Sequence, residues 1–250
     1  MAKSKKKKKN LTDILRSIVL VLSLLVMIGC GVYLFFVYFP NDETPHPEIS
    51  YELLFNDYAS EKERFIDYVR NLRNENNDLV GYICVKDTKI NYPVVKAKDN
   101  DFYINHNFYK KYDRHGAIFM DCDTNVDSLN WLIYGHHMKD GTMFAGMRKL
   151  TSKSYFEKHS EIIYTTLEDS YIFDIIAVVY ISVDDPNFQY YRYNNIHNQA
   201  DYDAYVAKMK SLSIFNTGNT ASYGDQLITM STCRDANSPR RIVIVARKRS

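Results

Sequence analysis

The sequence predicts a mainly β domain, a barrel or a sandwich, held behind one membrane-spanning helix. Three observations lead there. About eight short β-like runs lie between positions 79 and 246, punctuated by turn-forming residues. A helical segment over 51–76 precedes them, with Leu54, Tyr58, Phe65, Tyr68, Val69 and Leu72 falling largely at helical spacing. Ahead of both stands an apolar run over 18–39 without one charged residue.

The apolar run, IVLVLSLLVMIGCGVYLFFVYF, would span roughly 33 Å as a helix, enough for a bilayer core. Lysines precede it, and Asn41, Asp42 and Glu43 follow it. The positive-inside rule therefore puts the N-terminus in the cytoplasm and residues 41–250 outside, as a single-pass membrane protein. The run is too long for a signal-peptide core, and no small-x-small cleavage site stands before Pro40. No polar face marks it as a buried helix of a soluble domain. The expected organisation is a polybasic cytoplasmic tail (1–17), a transmembrane anchor (18–39), a linker (40–50) with two prolines within 41–50, and an extracellular domain (51–250). In that domain 51–77 is helical and 78–250 is β-rich.

Charge supports the division. Residues 1–17 carry seven basic side chains against Asp13, a net +6, and 18–40 carry none. The whole chain is +2, so 41–250 sum to −4. A mildly acidic globular part argues against nucleic acid as a partner. A composition that is 46% hydrophobic and 25% charged is that of a folded chain rather than a disordered one.

The β-like runs are 79–85, 90–95, 116–120, 131–135, 162–166, 171–183, 226–231 and 241–246, with helical stretches at 142–150 and 200–212. No internal repeat interrupts them. Of four cysteines, Cys30 lies in the apolar run. The remaining Cys84, Cys122 and Cys233 are an odd number in an oxidising place, so at least one thiol is unpaired. Cys84 and Cys122 lie in β-runs and read as core positions.

Cys233 is different. It follows the run Leu227–Thr232, and a polar, turn-prone stretch follows it. A thiol where a strand gives way to a loop is placed for reactivity on a rigid support, although a buried core cysteine is a common alternative. His136 and His137 follow Trp131–Tyr134 and Gly135 at another strand end, where the glycine is expected to let the backbone turn and expose an imidazole. Cysteine and histidine at strand termini are the parts of a thiolate–imidazole site. Arg240 and Arg241 open the last run. If that run pairs antiparallel with the strand of Cys233, one arginine comes beside the thiol, where it would favour the thiolate and stabilise an oxyanion. Adjacent residues on a strand face opposite ways, so only one of the two serves.

Several segments together resemble the sortase family. Thr229-Met230-Ser231-Thr232-Cys233 is similar to the family's strand ending in Thr-x-Thr-Cys, with one residue more between the threonines. Tyr134-Gly135-His136-His137-Met138 and the following Lys139–Phe144 resemble the histidine segment of the class B branch. So do Asn91–Val95, Asp99–Tyr103, Gly116–Asp121 and the helical segment ahead of the β-runs. The resemblance covers about residues 50–248. It implies a closed eight-stranded β-barrel with an N-terminal helical extension and a few peripheral helices. It further implies a Gram-positive cell-surface cysteine transpeptidase that cuts a C-terminal sorting signal after Thr, holds the protein as a thioacyl intermediate and passes it to an amine. By residue, it implies Cys233 as nucleophile, His136 as acid/base because it directly follows the glycine, and Arg241 for substrate and oxyanion. Ser231 and Thr232 are the expected substrate-binding positions.

The implied partners are sorting-signal-bearing surface proteins, a peptidoglycan or pilin amine, and the membrane through the N-terminal helix. No cofactor is expected, and His106, His115 and Asp121 show no metal-ligand spacing. Two other readings use the same sequence: a surface cysteine peptidase that releases product to water, and an anchored binding module in which Cys233 is core.

Overall fold

The computed structural model describes residues 10–38, 55–125, 127–233 and 239–249, with the backbone alone for 11, 13, 35–38 and 233. The lysine run, the linker 40–50, positions 51–54 of the helical segment and the turn-prone stretch 234–238 lie outside the described residues. The chain forms two compact units, Met1–Asp42 and Glu43–Ser250.

The described part of the first unit holds one helix, α1 (Leu11–Tyr38). Its stretch Ile14–Leu34, 21 residues, has the length and apolar composition of a membrane span or a signal sequence. At 1.5 Å per residue it is about 32 Å long.

In the second unit α2 (Tyr58–Leu72) buries Phe65, Ile66, Val69 and Leu72 along one stripe. Eight strands follow: β1 (Leu79–Val85), β2 (Asn91–Val95), β3 (Ile118–Met120), β4 (Asn130–Tyr134), β5 (Glu161–Thr165), β6 (Ser170–Ser182), β7 (Leu227–Cys233) and β8 (Arg240–Lys248). They close in the order β1-β2-β3-β4-β7-β8-β6-β5, with β5 returning to β1. This is the closed eight-stranded barrel that the family resemblance implies, and it decides between the barrel and the sandwich that the strand pattern left open. The pairs β2–β3 and β4–β7 are parallel and the others antiparallel.

Strand alternation sorts the side chains into two layers. Ile228 and Met230 of β7 and Ile242, Ile244 and Ala246 of β8 belong to the barrel interior. Leu227 of β7 and Val243 and Val245 of β8 pack outside it, under α4 (Gln199–Leu212). That helix presents Tyr202, Tyr205, Val206 and Met209 to them, and Asn198 caps its N-terminus by accepting from the Asp201 N–H at 2.9 Å. Strands covered on both faces read as unbroken apolar runs, which is why β8 shows no alternation in sequence.

Two expectations need correction. The helix predicted over 142–150 is a 3₁₀ segment, Phe144–Thr151. Met143 enters it with φ of +54°, and i→i+3 bonds such as Ala145 N–H to Thr142 O at 3.2 Å set the tighter winding. Cys84 is buried in β1 as expected, but Cys122 is half-buried in a turn. There β3 has already ended, because the Asp121 carboxylate accepts the Asp123 N–H at 2.9 Å and folds the backbone round. Another 3₁₀ turn, Tyr190–Tyr193, and a short helix, α3 (Lys153–Phe156), carry no clear signal in the sequence.

Candidate active site

The ends of β4 and β7 lie side by side, because the two strands run parallel with Tyr134 opposite Ser231. Both chains finish at one mouth of the barrel. Strand β8 starts there, running antiparallel to β7, and its Arg241 is directly opposite Cys233 in the ladder. A groove of about 310 Å³ opens at this mouth, lined among others by His136, Arg241, Ser231, Thr232, Tyr190 and Ile104.

Register separates the two arginines. Arg241 stands in the same alternate set of β8 as Val243 and Val245, and its partner position 233 in the same set of β7 as Ser231 and Thr229. Arg240 belongs with Ile242 and Ile244, and its neighbour is Ser182 of β6. Arg241 lines the groove and is partly exposed, while Arg240 is exposed elsewhere. The Arg241 Nη1 donates to the Arg240 carbonyl at 3.3 Å.

His136 begins a loop that leaves β4 and returns to the 3₁₀ segment. The loop is closed by a backbone bond from the Phe144 N–H to the His136 carbonyl at 2.8 Å and by a bridge between His137 and Met143. The Tyr92 hydroxyl accepts the Met143 N–H at 3.0 Å. Asp140 caps the turn by accepting from the Thr142 N–H and hydroxyl. It also meets His115 Nε2 at 3.0 Å, and His115 Nδ1 is 2.8 Å from Asp113. Burial disfavours the charged imidazole, but the two carboxylates outweigh it and raise the His115 pKa. Burial likewise opposes ionisation of Asp140, but its bonds to Thr142 and His115 hold its pKa down to about 2.

Gly135 does a different job from the one expected of it. Its φ is not positive. A Cβ there would fall 2.4 Å from Ile118 Cδ1 and 2.9 Å from the Phe144 ring, so the glycine allows close packing under the histidine. The His136 ring is then aimed by Nε2, which donates to the Ile104 carbonyl at 2.7 Å. A carbonyl only accepts, so this contact puts a proton on Nε2 and leaves Nδ1 as the other face of the ring.

Ser231 and Thr232 are both buried. The Ser231 and Tyr190 hydroxyls bond at 2.7 Å, while the Thr232 hydroxyl has no hydrogen-bond partner among the described residues. Beneath the groove, Asp121 accepts from Asn100, Tyr134 and Asn194 at 3.0, 3.1 and 2.7 Å. Asp121, Cys122 and Asp123 bring three ligand-type atoms within 4.8 Å of one another. These bonds nevertheless make Asp121 a structural tie between β3, β4 and the Tyr190–Tyr193 turn. His106 accepts a different place, stacked on Phe102 with its Nδ1 on the Phe102 carbonyl. Asn100 lies in one of the segments that resemble the class B branch, but no role was expected of it, and nothing in the sequence pointed to Ile104 or Tyr190. Each comes from a connection whose path only the fold defines.

The comparisons with known proteins agree with this layout. The sortase domain family model matches residues 83–249. Sortase B of Listeria monocytogenes is 36% identical over 169 residues, 67% of this chain and 67% of its own length. Sortase B of Staphylococcus aureus is 31% identical over 213 residues, 82% of this chain and 86% of its own. Among solved structures, sortase B of Clostridium perfringens superimposes with a TM-score of 0.67 at 31% identity, covering 72% of this chain and 99% of its own. This chain therefore belongs to the sortase family, in its class B branch, and is a cysteine transpeptidase that acts on sorting-signal substrates.

Proposed function

We propose that Cys233 is the nucleophile, His136 the acid/base and Arg241 the oxyanion and substrate contact. The observation that carries this reading is the ladder pairing of Cys233 with Arg241 at the strand end that borders the groove of His136. The guanidinium favours the Cys233 thiolate. The sulfur attacks the carbonyl carbon of a Thr in the sorting signal, and Arg241 offsets the negative charge that forms on the carbonyl oxygen. The C–N bond breaks as the protonated imidazole gives a proton to the leaving amine. With Nε2 held by Ile104, the proton leaves from Nδ1. A wall or pilin amine then attacks the thioester, gives its proton back to Nδ1, and releases the thiolate. Ser231 and Thr232 line the path of the substrate.

The chain would act from the membrane, with 1–17 in the cytoplasm, 18–39 as the anchor, 40–50 as a spacer and 51–250 outside. The helix Ile14–Leu34 and the lysines before it support that orientation. Protease added to intact cells should remove the domain beyond about residue 41 and spare an N-terminal tag. A soluble form in the medium beginning near Pro40 would contradict the anchor.

The catalytic assignment is tested by incubating the full-length chain with sorting-signal peptides and candidate amines, and reading products by mass spectrometry. The expected result is a thioacyl adduct on Cys233 and an amine-dependent product, both absent from Cys233→Ala. Turnover that survives in Cys233→Ala would refute the assignment. Equal product release with and without amine would favour a peptidase.

A further inference from the structure

The opposite mouth of the barrel holds a second and larger cavity, of about 580 Å³. It lies where β1, β4 and β6 begin and where β3 and β5 end. Val80, Met120, Trp131, Tyr164 and Tyr171 form its apolar wall, and Arg73, Lys96 and Glu168 stand at its rim. Trp131 is the second residue of β4 and Tyr134 the last, so this cavity and the catalytic groove are about 10 Å apart along one strand.

Two observations set this cavity apart from an ordinary surface hollow. Tyr164 is 1% exposed, and its hydroxyl has no hydrogen-bond partner among the described residues. A Cβ at Gly81 would lie 2.5 Å from that hydroxyl, so the glycine leaves room for the phenol to reach the wall. Thr124 is 0% exposed and lines the same cavity, and its hydroxyl likewise lacks a partner. A buried hydroxyl without a partner is costly, and two around one cavity point to an occupant that accepts hydrogen bonds.

The rim supplies the sign of its charge. Lys96 Nζ donates to the Thr124 carbonyl, and Arg73 Nη1 to the Leu79 carbonyl. Both cations are thus fixed by backbone oxygens at the cavity edge. Lys248 Nζ lies 4.1 Å from the centre of the Tyr171 ring and adds a third cation beside one wall. Among the lining residues the acid is Glu168, and Asp169, which acts on Lys248 and Tyr171 from behind the wall, is paired with Lys62. The volume lies within the range of small-molecule sites, and an apolar wall with a few convergent polar groups is their usual make-up.

We propose that this mouth binds a small organic anion, a carboxylate on an aromatic or apolar body. The body packs on Trp131 and Tyr164, the carboxylate meets Lys96 and Arg73, and the Tyr164 and Thr124 hydroxyls donate to its oxygens. This site is independent of the catalytic residues proposed above.

Trp131 is the single tryptophan of the chain, so its emission reports on this cavity alone, whatever surrounds the N-terminal helix. The full-length chain in a zwitterionic detergent is titrated with 4-phenylbutyrate, and in parallel with neutral 4-phenylbutan-1-ol. The expected result is a saturable emission change with the carboxylate, at an affinity about tenfold or more above that of the alcohol. Lys96→Met and Arg73→Met should each erase most of that preference, and Tyr164→Phe should weaken the carboxylate by several-fold. Circular dichroism verifies that each variant is folded. A cavity that holds water alone gives no saturable change, and that result overturns the proposal. So does equal affinity for acid and alcohol, or binding unaltered in all three folded variants.

Discussion

Arg241 and His136 reach the same groove by different means. Arg241 is set by a strand ladder, with Cys233 on one side and Ile181 on the other. Its position is shared out over a whole register, and no single side chain decides it. His136 lies on a loop beyond β4. Its position depends on a few contacts: the bond to Ile104, the close packing allowed by Gly135, and the ties of the loop to Tyr92 and His115. A ladder resists single substitutions but fails completely if it slips by one residue, because every side chain then changes face. A tethered loop degrades by steps, one contact at a time.

The largest effect expected on the loop side is the loss of the imidazole itself. His136→Ala should reduce kcat/KM by about 100- to 10,000-fold, the usual worth of a positioned acid/base. His137→Ala should cost far less. Steady-state kinetics on one peptide separate the two, and a severe defect confined to His137→Ala would move the acid/base role by one residue.

Next in size is Gly135→Ala. The added methyl meets Ile118 and Phe144 inside the core, and overpacking of this kind costs about 1–3 kcal/mol. Thermal unfolding should show a clear fall in Tm, with lost activity in the protein that remains folded. An unchanged Tm would mean that the loop yields freely and that the contrast with the ladder is false.

The smallest effect is on pH. The His115 pKa is raised on folding, so its pairing with Asp113 and Asp140 adds stability that is complete below about pH 6.5. That stability is lost as pH rises through the higher folded value. The Asp140 pKa is lowered to about 2, so its share is complete above about pH 4 and is lost as pH falls toward about 2. His115→Asn should therefore flatten the alkaline limb of the stability curve and weaken the acid limb by a smaller amount, because Thr142 still holds the Asp140 pKa down. The matching observation by NMR is a His115 midpoint above the ordinary histidine value. A midpoint below it would cut this tie from the account.

How much of this the sequence revealed follows the same division. The strands were legible because each is a run of apolar residues between turn formers: β7 starts one residue after the run at 226–231 and ends two beyond it, and β8 extends the run at 241–246 by one residue before and two after. The pairing of Cys233 with an arginine was legible as a condition on β7 and β8, since consecutive antiparallel strands are the simplest connection. The choice between Arg240 and Arg241 was not legible from the residues, because alternation is hidden in a strand buried on both faces. The loop of His136 was the least readable. Its ties run to Ile104, Tyr92 and His115, which are distant in sequence, and Gly135 was expected to turn the chain when its role is to make room.

The central claim is that Arg241 shares a face with Cys233 and that Arg240 does not. Its most direct test is steady-state kinetics of Arg240→Ala beside Arg241→Ala and Arg241→Lys on one sorting-signal peptide. The account predicts a loss of about 100- to 1000-fold in Arg241→Ala, the scale of a missing oxyanion donor, and near-normal rates in Arg240→Ala. Arg241→Lys should not restore activity, because it keeps the charge and loses the forked donors. A crippled Arg240→Ala beside a near-normal Arg241→Ala would contradict the register of β7 with β8 and the site built on it.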